Sequence, residues 1–191
     1  MSLILPLVAG LVVAPLLGGR LIELGSIRLR GVLVFYVAIV LQIAAFPISR
    51  LPWRTPDRVA VPLWLVSYGL FALALVLNAR LPGVPLIAAG LVCNVSAIVA
   101  NGGHMPALPS ALRAAGLHFS VSRNSARLAH PHLAWLVDRW AAPHWVPWGN
   151  VFSVGDVLIM AGGLAFALLA TGAFRRRPLL RLRRPAATSA S

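Results

Sequence analysis

The chain has 191 residues, of which 59% are hydrophobic and 11% charged, with a formal net charge of +13 and a mean hydropathy of +0.85. A soluble domain carries about a quarter charged residues, so water is a poor solvent for this composition and a bilayer is the natural alternative. Every basic residue is an arginine. That charge alone would suit nucleic acid, but basic DNA binders are not built largely from uncharged apolar runs, so no nucleic-acid partner is expected.

A helix that crosses a bilayer needs about 20 mostly apolar residues, with a working range of about 17–25. Five segments meet or approach this: residues 2–18, 32–49, 59–78, 84–101 and 151–174. The first is short and holds Pro6 and Pro15. It lacks a basic start and a small-residue cleavage site, so it reads as a retained span rather than a signal peptide. Prolines within spans are tolerated where neighbouring helices satisfy the freed carbonyls. Cys93, the one cysteine, lies in the fourth segment; thiol–disulfide enzymes and Cys-ligated clusters are excluded, and it reads as a small buried hydrophobe. The predicted fold class is all-α: a polytopic helical membrane bundle of five spans over residues 1–175, with an outer cap at 102–150, then a basic, partly disordered cytoplasmic tail at 176–191.

An odd number of spans puts the termini on opposite sides. Arg20, Arg28, Arg30, Arg80, Arg175, Arg176, Arg177, Arg181, Arg183 and Arg184 fall on one side. Arg50, Arg54, Arg58, Arg113, Arg123, Arg127 and Arg139 fall on the other, four of them in a long loop where charge weighs less. The positive-inside rule therefore predicts N-terminus out and C-terminus in, in a bacterial cell membrane. Trp53, Trp64, Trp135, Trp140, Trp145 and Trp148 all fall at the outer face, where the headgroup layer suits an apolar ring with a polar N–H.

The 102–150 segment is long for a connection, and such loops are functional or disordered. Within it Ser110 is placed to cap ALRAA, with Gly116 as the stop. Leu133, Leu136, Val137 and Trp140 stand at i, i+3, i+4 and i+7, which predicts a helix lying flat on the outer surface. The tail arginines Arg175, Arg176, Arg177, Arg181, Arg183 and Arg184 directly follow a span, so anionic inner-leaflet lipids are their expected partners.

Polar residues inside hydrocarbon need partners or a wet cavity. Asp156 is the only acid within a span, and Asn150, Ser153 and Asp156 share a face by their spacing of three. Asn94 and Asn101, seven apart, share a face of the fourth span. Gln42, Ser67 and Tyr68 are further candidates. The fourth and fifth spans are expected to meet, with Asn94 and Asn101 facing Asn150, Ser153 and Asp156. Gly102, Gly103, Gly155, Gly162 and Gly163 would allow close backbone approach. Asp156 then has two readings: a proton, cation or general-base site, or a hydrogen-bonded lock between the cap and the bundle.

The stretch Asn101-Gly102-Gly103-His104-Met105-Pro106 lacks the lysine and the strand-to-helix order of a phosphate loop. It reads as a helix C-terminus with a left-handed glycine exit, its carbonyls pointing at His104. His130 and His132 have His-x-His spacing, but zinc needs a third or fourth ligand, which His104, His118 or His144 would have to supply. No cofactor is expected: no histidines face each other within spans for haem, and the loop serines lack a GxSxG setting.

Gly18-Gly19-Arg20, Leu29-Arg30-Gly31, Asn101-Gly102-Gly103-x-Met105-Pro106 and Asn150-Val151-Phe152-Ser153-Val154-Gly155-Asp156-Val157 together resemble a family of small multi-pass bacterial membrane proteins of unknown function. That family is frequent in actinobacteria and other Gram-positive lineages, and the resemblance covers about residues 1–175. It implies a location and no established activity.

Three functions remain open. The leading one is a non-enzymatic accessory or assembly subunit that contacts other membrane proteins through its cap. The second is a small transporter or ion-coupled channel using Asp156. The third is an outer-face membrane enzyme using His104 and Asp156.

Overall fold

Runs of Leu, Val, Ile and Ala bounded by proline and glycine set the helices. In the computed structural model, which describes residues 4–45, 55–116, 125–126, 130–143 and 151–175, they are α1 (Leu5–Val13), α2 (Val32–Ala45), α3 (Asp57–Leu77), α4 (Val84–Ala100), α5 (Pro109–Ala114) and α6 (Val154–Ala170). Proline occupies the first turn of α1, α4 and α5, where its missing N–H costs no bond. The chain is mostly helical. Two-residue strands β1 (Met105–Pro106), β2 (Ser125–Ala126), β3 (Trp140–Ala141) and β4 (Val151–Phe152) complete it.

Helix directions alternate. α2 and α3 form an antiparallel hairpin, closed at one end by Asn78 on the backbone of Arg30 and at the other by Thr55 Oγ1 donating to Ala44 O at 2.6 Å. Phe35 and Phe71 meet edge to face between them, with centroids 5.4 Å apart. α1 runs parallel to α6: a Cβ on Gly163 would lie 3.5 Å from Leu7 Cβ, and one on Gly10 would lie 2.7 Å from Ala167 Cβ. The ends of that pair are tied by Arg20 N donating to Thr171 O (2.8 Å) and Phe174 N donating to Leu17 O (3.2 Å).

α4 lies antiparallel to α6, and glycine alone permits their approach. A Cβ on Gly90 would fall on the Gly155 carbonyl oxygen, and one on Gly83 on the Gly162 carbonyl oxygen. From the other side, a Cβ on either Gly155 or Gly162 would lie 2.6 Å from the opposing glycine's oxygen. The two pairs are seven residues apart, about two turns, so the backbones touch at two points, with the side chains of Ile87 and Ile159 packed beside them. Gly155 and Gly162 thus act as the sequence suggests, but their partners are Gly83 and Gly90. Gly102 has nothing near it, and Gly103 faces the side chain of Val61.

Two clusters make the core. Ala45, Ala60, Trp64 and Ile98 join the hairpin to α4, with Tyr68 and Met105 against them. Ala107, Ala111 and Val151 hold the cap. Trp64 is 1% exposed, so it is a core residue and not the headgroup anchor its sequence position suggests; its ring meets Tyr68 edge to face at 5.1 Å. Outside these clusters large apolar side chains are exposed on every long helix, Leu33, Val76, Val92 and Leu169 among them.

Three expectations change. Of the five segments read as spans, one helix among the described residues, Arg58–Leu77, is long and apolar enough to cross a membrane by itself. The first segment is α1 followed by a 3-10 turn at Ala14–Leu17, because Pro15 cannot donate back into the helix. The flat cap helix at 133–140 is absent: Leu133 takes a left-handed φ of 51° in a turn closed by Leu136 N donating to Leu133 O, and Asp138 and Trp140–Ala141 then pair as extended chain. Leu136 and Val137 are buried while Leu133 and Trp140 are exposed, so the expected stripe is split. The cap's helix is α5 instead. It ends at Gly116, φ +65°, but its N-cap is Leu108 with no side-chain bond, so Ser110 does not cap it.

Candidate functional site

The polar cluster forms where α6 begins. Ser153 is fully buried and caps α6 by accepting from Asp156 N at 3.1 Å, while Asp156 Oδ2 accepts from Ser153 N at 3.0 Å. This reciprocal capping box satisfies two of the donors a helix start leaves free. Asn94 on α4 completes the arrangement: its Nδ2 donates to Asp156 Oδ1 at 2.8 Å, and its Oδ1 accepts from Ser153 Oγ at 2.9 Å. One carboxamide thus bridges both members of the cap across the α4–α6 contact. It can reach them because Gly155 has no side chain where Asn94 Oδ1 sits.

Asn101 does something different from what its shared face with Asn94 suggests. Its Nδ2 donates to Ala97 O (2.7 Å) and His132 O (2.9 Å), and its Oδ1 accepts from His132 N (2.9 Å). It fixes the cap backbone to the end of α4 and takes no part in the Asp156 cluster. Gly102 and Gly103 have φ of +70° and +89°, and Gly103 N donates back to Ile98 O at 2.9 Å. This is the left-handed helix exit expected of the Asn-Gly-Gly sequence. His104 follows as the chain turns into β1.

Asp138 was not singled out in the sequence, yet it is the hinge of the cap. Its N–H donates to Pro106 O (3.0 Å), its carbonyl accepts from Leu108 N (2.8 Å), and Arg139 N donates to Phe152 O (3.1 Å). With β3 antiparallel to β4, residues 136–141 stitch the exit of α4 to the entry of α6. Burial, and after it the charge of nearby Asp156, push the Asp138 carboxyl up to about 8. The available signal was scarcity: the chain has four acids in 191 residues, and this one follows Leu136 and Val137 directly.

The shift carries a pH dependence. The folded pKa lies above the unfolded value of about 3.9, so between roughly pH 4 and 8 the native state keeps a proton the unfolded state has lost. Stability therefore falls as pH rises through that window, by at most about 1.4 kcal/mol per pH unit. Asp138→Asn, which mimics the protonated form, should melt progressively higher than wild type as pH goes from 5 to 8. Parallel melting curves across that range would remove the explanation.

Of the remaining site candidates, His130 and His132 are exposed, and among the described residues no three His, Cys, Asp or Glu side chains gather for a metal. His118, His144 and Asn150 lie outside the described residues, as do Arg176, Arg177, Arg181, Arg183 and Arg184; Arg175 is exposed beyond α6. Gln42 is half-buried. Ser67, fully buried, donates to Trp64 O of its own helix at 2.6 Å.

The chain is similar to an uncharacterized protein of Thermotoga maritima, 30% identical over 159 residues that make up 81% of this chain and 83% of that one. No solved structure matches. Residues 26–169 match a family of unknown function, DUF5317, a stretch that contains Asn94, Asn101, Asp138, Ser153 and Asp156 but not Gly18-Gly19-Arg20. With three quarters of its length covered by that match, the chain belongs to the DUF5317 family.

Proposed function

We propose that this chain is a five-span, non-enzymatic integral membrane protein of the bacterial cell membrane, an accessory or assembly subunit whose outer cap contacts other membrane proteins. The bundle part of the reading is supported by apolar side chains left exposed along the outward face of each of α2, α3 and α4, which a soluble fold would have to cover. α4 and α6, at 17 residues each, reach the lower limit of a crossing helix. The alternating helix directions suit chain reversal at each membrane face. In this reading the N-terminus lies outside and the tail arginines inside, against anionic lipids, as the positive-inside rule expects.

The observation that carries the interaction reading is an aromatic surface on a rigid support. Trp135 is 59% and Trp140 41% exposed, while the segment between them is held by Asp138 and β3. A contact residue that is already ordered loses little entropy on binding, and tryptophan is the residue most often found at the centre of such contacts. Affinity purification from detergent-solubilised membranes should bring down a stoichiometric membrane protein. Trp135→Ser with Trp140→Ser should lose it; Trp135→Ser by itself should already weaken it with an unchanged melting temperature, whereas Trp140→Ser also removes the ring contact with Phe152, centroids 5.6 Å apart. A chain that purifies alone, or a partner indifferent to both changes, would count against this function.

A second reading, a proton or cation pathway through Asp156, draws support from the Asp138 carboxyl held protonated near it. The third, an outer-face enzyme using His104 and Asp156, gains nothing from the Asp156 hydrogen bonds, which go to Asn94 and Ser153.

A further inference from the structure

The α2/α3 hairpin joins the α1/α4/α6 group through Trp64 and Ile98 at the cap end. At the opposite end lies a half-open cleft of about 350 Å³, walled by Leu7, Phe35, Ala74, Ile87 and Phe166 among others. Arg30 is the one charged residue of its described lining. The Arg30 backbone is fixed there: its N–H donates to Asn78 Oδ1 at 2.9 Å and its carbonyl accepts from Asn78 Nδ2 at 2.8 Å. That same Nδ2 also donates to Ala74 O at 2.8 Å. The side chain of Arg30 is exposed, with exposed Arg28 two residues before it and exposed Arg80 two residues after Asn78, and among the described residues no carboxylate pairs with it.

Ligand sites begin at about 300 Å³, and an aliphatic cavity holds water poorly while accepting hydrocarbon. A hydrocarbon slot with a single unpaired cation at its polar end fits an amphiphile with an anionic head. We propose that the cleft holds one acyl chain of an anionic phospholipid, with the headgroup phosphate against Arg30. This rests on the membrane reading above and adds a specific lipid site to it, distinct from the tail arginines.

The test is native mass spectrometry of the delipidated full chain in non-ionic detergent, titrated with dioleoyl phosphatidylglycerol or dioleoyl phosphatidylcholine. One phosphatidylglycerol should be retained, with about fivefold preference, the contribution of one arginine near an anionic headgroup. Arg30→Gln should bring the two lipids to parity. Gly163→Leu should abolish retention of both with an unchanged melting temperature, since a Cβ there meets nothing nearer than Leu7 and the rest of the side chain fills the slot. Should Gly163→Leu melt low, Ala74→Phe fills the same slot from the hairpin side. Absent retention, equal retention of the two lipids by wild type, retention that survives a well-folded filled variant, or a lipid-free dimer would each overturn the proposal. Alkaline carbonate extraction separates the two readings: a chain released by carbonate fails as a membrane protein, whereas a chain that stays with the membrane but holds no lipid fails only here.

Discussion

Gly90→Leu is expected to destabilise the protein by about 3 kcal/mol or more, at the upper end of overpacking effects, and to prevent accumulation at ordinary growth temperature. The Cβ alone would fall on the Gly155 carbonyl oxygen and lie 2.8 Å from Ile159 Cγ1. The obstructing atom is backbone inside a hydrogen-bonded helix, so it cannot rotate away. The helices must separate, and separation withdraws Asn94 from Asp156 and Ser153. A control predicts the opposite sign. Gly69 lies within α3 with open space where a Cβ would go, so Gly69→Ala should stabilise by about 0.5–1 kcal/mol through lower unfolded-state entropy. Thermal melts of the two variants side by side test whether the α4–α6 contact is set by bare backbone; a tolerated Gly90→Leu would end that account.

Asp156 gives the second large effect, and two substitutions separate its roles. Asp156→Ala leaves Asn94 Nδ2 and Ser153 N without acceptors, at about 1–3 kcal/mol for each buried group, so a loss of about 3 kcal/mol is expected. Asp156→Asn is milder. If the Asn94 carboxamide turns over, its oxygen accepts from the new Nδ2, its own Nδ2 donates to Ser153 Oγ, and the new Oδ1 still accepts from Ser153 N. The Ser153 hydroxyl proton then loses its acceptor along with the charge, while every other polar group keeps a partner, which should cost about 1–2 kcal/mol. Asp156→Asn is therefore the variant that isolates function from folding. Under the accessory-subunit reading it assembles with its partner as wild type does. Under the transport reading it folds but abolishes proton or cation flux in proteoliposomes, and flux lost in this way would displace the leading function.

Much of this was written into the local sequence. Helix positions follow from apolar runs cut by Pro and Gly, because a proline or an Asn-Gly-Gly exit acts within one turn and needs no tertiary partner. The Ser153–Asp156 spacing also carries a local capping-box signal, which the shared-face reading of Asn150, Ser153 and Asp156 within a span does not use. The Asn94 contact with that pair followed from asking which buried polar groups needed partners.

Tertiary structure decided what depends on separation in the chain. Gly83 and Gly90 look like ordinary residues of an apolar run until α6 supplies the carbonyls that forbid a Cβ. Trp64 is a plausible interface residue by position, and it is buried because Ile98 and Ala45 meet over it. The 133–140 stretch has helical periodicity, yet Pro106, Leu108 and Phe152 offer its backbone bonds that no window of local sequence contains. Asp138 shows the limit most clearly: its identity, its neighbours and its spacing were all visible, but a carboxyl is moved to about 8 only by the burial and the distant charge that folding brings to it.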